Sequence, residues 1–217
     1  MIIGVSGYAK SGKDTVAQII CSQYGEWKIK KFAHKLKEIA SLLTGFPVEF
    51  FEDQSLKDIK MNGWEMTARE FMQKLGTEAI RNNLHEDAWV NALMSEYSMD
   101  ISFKAKCVDC GHSWGRDVDN KYRFSTCPKC ASISLTHDVG ARWVITDCRF
   151  PNEAAAIKRA GGVLVRINRP NNRPTNNHPS EVSLDDYEFD YILNNNTDIE
   201  GLERKVSYML RKLELIS

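Results

Sequence analysis

Apolar residues recur along this chain in two rhythms, short continuous runs and helical spacing. The runs Met1-Ile2-Ile3-Gly4-Val5, Arg142-Trp143-Val144-Ile145-Thr146-Asp147 and Val163-Leu164-Val165-Arg166-Ile167 have the length and β-branched content of buried strands. Trp27-Lys28-Ile29-Lys30-Lys31-Phe32-Ala33 alternates apolar and basic residues, as a half-buried strand does, and Asp190-Tyr191-Ile192-Leu193 reads as a short last strand. Helical spacing fills the intervals. It starts at Val16-Ala17-Gln18-Ile19-Ile20, recurs over Lys35–Leu43 before Thr44-Gly45, and closes the chain over Ile199–Leu213. A long helix is expected from Thr67, with Phe71, Met72, Leu75, Ala79 and Ile80 on one apolar stripe and a break at Asn82-Asn83. Glu86-Asp87 opens the next helix, and Asn152 is expected to cap another that runs through Ala160 to the Gly161-Gly162 stop. Residues 46–63 are aromatic and acidic without a period and predict no element.

Strands alternating with helices predict an α/β fold, a three-layer αβα arrangement around a parallel sheet. Residues 101–138 interrupt the rhythm with four cysteines, turn formers and short β-prone pieces. The expected organisation is a core over 1–100 and 139–217, with 101–138 as an insertion.

Composition adds constraints. Lys+Arg and Asp+Glu are 29 each, so there is no global basic field to draw in nucleic acid, and none is expected as a partner. No stretch approaches the roughly 20 apolar residues of a membrane span, and no signal-peptide pattern precedes the first strand. A cytosolic protein is expected.

The chemistry concentrates after the first strand, in Gly7-Tyr8-Ala9-Lys10-Ser11-Gly12-Lys13-Asp14-Thr15. A glycine-rich turn between strand and helix is the context of a phosphate-binding P-loop. Gly7 and Gly12 let backbone approach a polyphosphate, the N–H groups of Lys10, Ser11 and their neighbours point at the anion, and Lys13 adds a mobile cation. The P-loop pattern has Ser or Thr after its lysine; here Asp14 intervenes before Thr15. Asp14 is expected to touch magnesium or to pair with Lys10 or an arginine, leaving Thr15 near the phosphates. The plainer reading of Gly-Lys-Asp-Thr is an N-cap and first turn.

A second constellation lies at the end of the Trp143 strand. Asp147 occupies the position from which an acidic residue reaches magnesium in P-loop enzymes, and Arg149 follows to neutralise charge in transit. The alternative is that the two pair with each other or cap the next helix. On the Thr67 helix, Arg69, Gln73, Thr77 and Arg81 fall at i, i+4, i+8 and i+12, a polar stripe that periodicity alone reads as a solvated face. Arg169 and Arg173 flank a loop over 169–181 whose composition suits a lid.

Cys107-x2-Cys110, sixteen residues, then Cys127-x2-Cys130 has zinc-ribbon spacing. Four thiolates leave no open coordination position, so structural zinc is expected. Two disulfides or a redox pair are the rival readings. Cys21 and Cys148 fall outside the set and read as core residues.

Taken together these residues resemble the bacteriophage deoxynucleoside monophosphate kinases. The resemblance runs through Ser6-Gly7-x3-Ser11-Gly12-Lys13-Asp14-Thr15, Arg69-x3-Gln73-Lys74-Leu75-Gly76-Thr77-Glu78, and Val144-Ile145-Thr146-Asp147-Cys148-Arg149-Phe150-Pro151-Asn152-Glu153. It continues through Gly161-Gly162, His178-x-Ser180-Glu181 and the Asn194–Asn196 turn, and in that family Asp follows the loop lysine. It implies a P-loop NTPase fold and transfer of the ATP γ-phosphoryl group, with magnesium, to a deoxynucleoside 5′-monophosphate. It turns Arg69, Gln73, Thr77 and Arg81 into an expected monophosphate site. It also places Asn195 near adenine, Arg169 at the ATP phosphates and Asp14 and Asp147 near magnesium. If phage-encoded, the protein would work in the host cytosol; a homodimer stays open. The zinc insertion departs from the family form. Some bacterial adenylate kinases carry the same cysteine spacing in a lid, but after the Asp-bearing strand, whereas here it precedes that strand. The competing functions are a P-loop kinase of dephospho-coenzyme A or phosphomevalonate, and a zinc-ribbon nucleic-acid-binding module with a nucleotide switch.

Overall fold

The computed structural model describes residues 1–53, 55–100, 104–115, 126–127, 129–137, 141–173 and 182–216. The expected His178-x-Ser180-Glu181 motif and most of the expected lid lie outside the described residues.

In chain order the elements are β1 (Ile2–Ser6), α1 (Lys13–Tyr24), β2 (Trp27–Lys30), α2 (His34–Thr44), α3 (Val48–Glu52), α4 (Ala68–Gln73) and a π-helix (Lys74–Arg81). They continue as α5 (Ala88–Asp100), β3 (Lys104–Cys107), β4 (Ser113–Gly115), β5 (Leu135–His137), β6 (Arg142–Ile145), α6 (Pro151–Arg159), β7 (Val163–Asn168), β8 (Tyr191–Asn194) and α7 (Ile199–Lys212). The apolar runs form one five-stranded sheet in the order β2-β6-β1-β7-β8, parallel at every pairing. β1 is central, so its C-terminal end opens at the crevice where strand order reverses.

Alternation along β1 sorts the two cores. Ile3 and Val5 pack with Val16 and Ile20 of α1 and Val206 and Met209 of α7. Ile2 faces the other way, with Val90 and Leu93 of α5 and Ile157 of α6. Gly4 shares that second face, where an added Cβ would lie 2.6 Å from Ile157 Cδ1; α6 can sit this close only on a glycine. This is the expected three-layer αβα fold. Cys148 is buried in the second core and Cys21 packs against the first.

Three expectations need correction. The segment without a period folds into α3 and a satellite core of Phe51, Met61, Ala68 and Phe71, with Phe46, Phe50 and Trp64 against it. Aromatic stacking rather than a regular element organises it, with Trp64 edge-on to Phe71 at 4.9 Å. The helix after Thr67 starts as expected, with a capping box between Thr67 and Glu70, but its α-form ends at Gln73. It then widens to a π-helix whose i→i+5 bonds include Asn82 N to Thr77 O at 2.9 Å. The wider turn leaves Ala79 exposed instead of on the apolar stripe. Finally, α6 begins with Pro151 in its first turn, not at a cap by Asn152. The Asn152 amide instead donates to Asp87 Oδ1 at 2.7 Å, tying α6 to the start of α5.

The Cys-rich segment forms a separate three-stranded antiparallel sheet in the order β4-β3-β5. Among the described residues no helix is long and apolar enough to cross a membrane.

Candidate active site

The turn between β1 and α1 has the shape of an anion cradle. Gly7 (φ 147°) and Gly12 (φ 102°) both lie where L side chains are strained. A Cβ on Gly7 would meet Ile167 O at 2.6 Å, and one on Gly12 would meet the Asn195 amide. Lys13 Nζ donates to Gly7 O at 2.6 Å and Tyr8 O at 2.7 Å, so its ammonium lies across the loop. Ser11 Oγ is buried and has no hydrogen-bond partner among the described residues, an orphan aimed into the loop that a phosphate oxygen would satisfy. Thr15 is half-buried in the first turn of α1.

Distant segments pin the outside of this loop. Asn172 Nδ2 donates to Ala9 O at 2.9 Å, Arg169 Nη1 to Lys10 O at 3.2 Å and Asn195 Nδ2 to Ser11 O at 2.9 Å. These bonds occupy three of the loop's carbonyls, and Ser11 N, expected to point at the anion, donates to Tyr8 O at 3.2 Å. Sequence reasoning missed Arg166, a buried charge in β7. Its guanidinium reaches Ser6 Oγ at 3.3 Å and Asp185 Oδ1 at 2.6 Å, and lies 4.7 Å from the Tyr8 ring centroid. A charged residue inside an otherwise apolar strand was the available signal.

Asp14 pairs with Lys31, at 3.1 Å, rather than with Lys10 or an arginine. Lys31 follows β2, and Lys10, at φ 62°, is exposed. Desolvation beside the loop pushes the Asp14 carboxyl up, but Lys31 and the nearby Lys13 more than offset this and hold it below its usual range.

Asp147 accepts from Phe32 N at 2.8 Å and Ala33 N at 2.9 Å, one bond to each carboxylate oxygen. It thereby fixes the turn from β2 into α2, while each oxygen keeps a lone pair. Burial pushes its carboxyl up against those two N–H donors and Arg149. Arg149 is exposed beside it, and its own N–H donates to Glu153 Oε2 at 2.8 Å.

Glu153 is the second residue that sequence reasoning left without a role. It is 3% exposed, accepts from the amides of Arg149 and Phe150, and pairs with Arg81 at 3.2 Å. Burial and the Asp147 charge push its carboxyl up to about 7. Arg81 also lies over the Phe150 ring, 4.0 Å from its centroid. A cleft of about 780 Å³ opens here, lined by Arg81, Asn82, Asn83, His85, Phe150 and Asn152 among others.

The four stripe residues are therefore not one stripe. Arg69 is exposed and forks onto Asp58 at 2.7 and 3.2 Å; Gln73 is exposed; Thr77 and Arg81 follow on the π-helix, and Arg81 turns to Glu153. The π winding changes the angle between successive residues, so i+4 spacing no longer marks one face. Arg81 lies at the C-terminal end of the sheet, on the turn that follows β6. There it meets Glu153 and the Phe150 ring, whereas Arg69 is placed by its bonds to Asp58 and to Lys57 O.

In the ribbon all four sulfurs lie within 4.8 Å of one another, with Cys107–Cys130 at 3.5 Å and Cys110–Cys127 at 3.7 Å. Tetrahedral zinc with bonds of about 2.3 Å wants its sulfurs about 3.8 Å apart. The cysteines are free thiols rather than disulfides. Each pair sits in a knuckle closed by Gly111 N to Cys107 O and Ala131 N to Cys127 O. The donor set fits zinc.

A parallel five-stranded α/β sheet with a glycine-rich loop after its central strand is the P-loop kinase fold that the motifs predict. The similarities of the chain point the same way. It is 29% identical over 206 residues to the "Putative deoxynucleotide monophosphate kinase" of Acanthamoeba polyphaga mimivirus, covering 92% of this chain and 91% of that one. It is 27% identical over 217 residues to the deoxynucleoside-5′-monophosphate kinase of Escherichia phage T5, covering 85% of each. These relatives are phosphotransferases by name, the type of protein that the motifs resemble. No family model matches the chain. Among solved structures it is similar to a dephospho-CoA kinase from Campylobacter jejuni (12% identity, TM-score 0.45, 98% of this chain and 96% of that one). A sugar kinase from Janibacter sp. HTCC2649 gives 12% identity and a TM-score of 0.38, over 98% and 94% of the two chains. Likeness at this level bears on neither substrate nor mechanism.

Proposed function

We propose that this protein transfers the γ-phosphoryl group of ATP to a deoxynucleoside 5′-monophosphate, giving the diphosphate. The observation that carries this reading is the glycine-rich cradle with its orphaned Ser11 hydroxyl, after a strand whose parallel neighbour β6 leads into the turn that Arg81 reaches. The names of the two relatives favour a deoxynucleotide as the acceptor.

Gly7, Lys10, Ser11, Gly12, Lys13 and Thr15 hold the triphosphate, and Arg169 and Asn195 brace the loop that does so. Lys13 exchanges its bonds to the Gly7 and Tyr8 carbonyls for phosphate oxygens. Asp14 and Asp147 are the carboxylates available to magnesium, which when bound neutralises charge on the phosphates. Arg69 and Arg81 bind the acceptor phosphate, with Gln73 and Thr77 for its sugar or base. Arg149 meets the charge that develops as the phosphoryl group moves. The acceptor is already an anion near neutral pH, so the site needs in-line placement and charge neutralisation rather than a strong base. Zinc, held by Cys107, Cys110, Cys127 and Cys130, has a structural role in the 101–138 unit and contributes roughly 10 kcal/mol or more of its apparent folding energy.

Coupled ADP release with ATP across all dNMPs and NMPs tests the assignment. Turnover is expected on one or more deoxynucleotides; turnover confined to a non-nucleotide acceptor would overturn it. Metal analysis of protein purified without chelator is expected to find one zinc per chain.

A further inference from the structure

The proposed function leaves Arg166 of β7 without a role. Only 10% of its side chain is exposed, and a charge inside a buried strand is tolerated where its donors are met. Nη1 donates to Ser6 Oγ at 3.3 Å, at the end of β1, and Nη2 donates to Asp185 Oδ1 at 2.6 Å. The other carboxylate oxygen, Oδ2, accepts from the Tyr8 hydroxyl at 2.9 Å. The Tyr8 ring also lies 4.7 Å from the Arg166 guanidinium. Asp185 is anchored away from the phosphate loop, since its N–H donates to Val182 O at 3.0 Å and its neighbour Leu184 is buried in the second core.

Tyr8 is where this chain of bonds meets the loop. Its carbonyl accepts from Lys13 Nζ at 2.7 Å and from Ser11 N at 3.2 Å. One residue therefore carries the anchor on its side chain and the loop lysine on its backbone. Beside it Gly7, at φ 147°, is pressed against Ile167 O, the carbonyl of the residue that follows Arg166 in β7. A glycine resists backbone rotation least, so Gly7 does not by itself hold the orientation of the Tyr8 peptide. The bond to Asp185 does. Burial and that carboxylate push the Tyr8 phenol up, which keeps the hydroxyl protonated as the donor. Its acceptor is ionised, which makes the bond stronger than one between neutral groups. A purely structural ion pair between Arg166 and Asp185 would leave Tyr8 out, whereas here the second carboxylate oxygen is committed to the loop.

We propose that Asp185 is a positioning residue of the phosphate loop: braced by Arg166, it holds the Tyr8 hydroxyl, and through the Tyr8 carbonyl it sets where Lys13 meets the triphosphate. This deepens the proposed kinase reading and rests on it for the identity of the ligand. The placement of Lys13 in the ligand-free protein does not depend on that reading.

Two variants test it with two readouts. Tyr8→Phe removes one hydroxyl and keeps the Arg166–Asp185 pair, so the fold is not at stake, while Asp185→Asn removes the charge that both donors share. In steady-state assays each should raise the KM for ATP about tenfold, with the acceptor KM changed less than about twofold, as loss of one charge-assisted bond predicts. The double variant should lose no more than Asp185→Asn alone, because the two residues act in one chain of bonds. The second readout needs no turnover. Acetic anhydride labelling of the ligand-free protein, mapped by peptide mass, should modify Lys13 several times faster in both variants than in wild type. Lys28, on the edge strand β2, should label at the wild-type rate. A wild-type KM for ATP in both single variants, an equal rise in both KM values, additive losses in the double variant, or Lys13 labelling equal to wild type overturns the proposal. If the wild-type protein turns over no dNMP, the kinase reading fails instead, and the labelling alone decides whether Asp185 sets Lys13.

Discussion

The two sides of the proposed cleft are held by different kinds of bond. On the loop side the work is done by backbone: two glycines at positive φ, a lysine lying on the carbonyls of Gly7 and Tyr8, and three side chains that dock on the carbonyls of Ala9, Lys10 and Ser11. On the α4 side it is done by ion pairs between side chains, Arg69 with Asp58, Lys37 with Glu52, Lys31 with Asp14 and Arg81 with Glu153. The difference teaches how each side can respond to a ligand. Backbone geometry is either present or broken, whereas an exposed ion pair is worth roughly 0–1 kcal/mol and can be exchanged for a better anion. The loop side is built to be rigid, and the α4 side to be rearranged.

The largest effect that would break this comparison is on the loop. Lys13→Ala should lower kcat at least about a thousandfold while leaving the melting transition in place, because its loss removes charge stabilisation and not packing. Normal turnover in that variant would remove the basis for the proposed chemistry. Next comes the most buried ion pair of the α4 side among the described residues. Arg81→Met leaves an ionised Glu153 uncompensated and should cost about 3 kcal/mol in urea unfolding at alkaline pH. The loss should shrink on acidification through about pH 7, where Glu153 takes up its proton, since the raised acid of the folded state binds protons that the unfolded chain releases. A loss independent of pH would mean that Arg81 acts by packing on Phe150 alone. Arg69→Ala should be milder, about a tenfold rise in acceptor KM with ATP binding little changed. Smallest of all is a drift with pH. With Lys57 at about 8 in the fold against 10.5 in the open chain, the unfolded state binds more protons between those values. Stability should therefore rise as pH climbs through that window, and Lys57→Gln should lose that rise in a series of thermal melts against pH.

The loop itself was legible in sequence because strand, glycines, lysine and helix come in a fixed local order, although the bonds from Arg169, Asn172 and Asn195 that brace it were not. The parallel sheet was legible for a similar reason, as runs of apolar residues separated by helical spacing. The cysteine cluster was visible through its two knuckles. The α4 side was not legible, because its bonds join residues far apart: Arg81 with Glu153, and Asp147 with the amides of Phe32 and Ala33. Nothing local marks those partners. Thr67, Phe71 and Met72 gave a true helical start, but no residue in Lys74–Arg81 announces that the winding changes. Tertiary contacts supply the reason. Gly76 lets Leu36 of α2 approach to within 2.5 Å of where a Cβ would be, and its carbonyl accepts the buried Trp89 indole at 3.0 Å.

A π stretch amounts to an ordinary helix that has taken in an extra residue without losing its ends. Shortening Lys74–Arg81 by a single position would let the backbone relax to the tighter coil, and the guanidinium at its end would swing off the Glu153 carboxylate. Eight residues in an uncommon coil thus act as a spacer, setting the bearing of one arginine by chain count rather than by its own contacts.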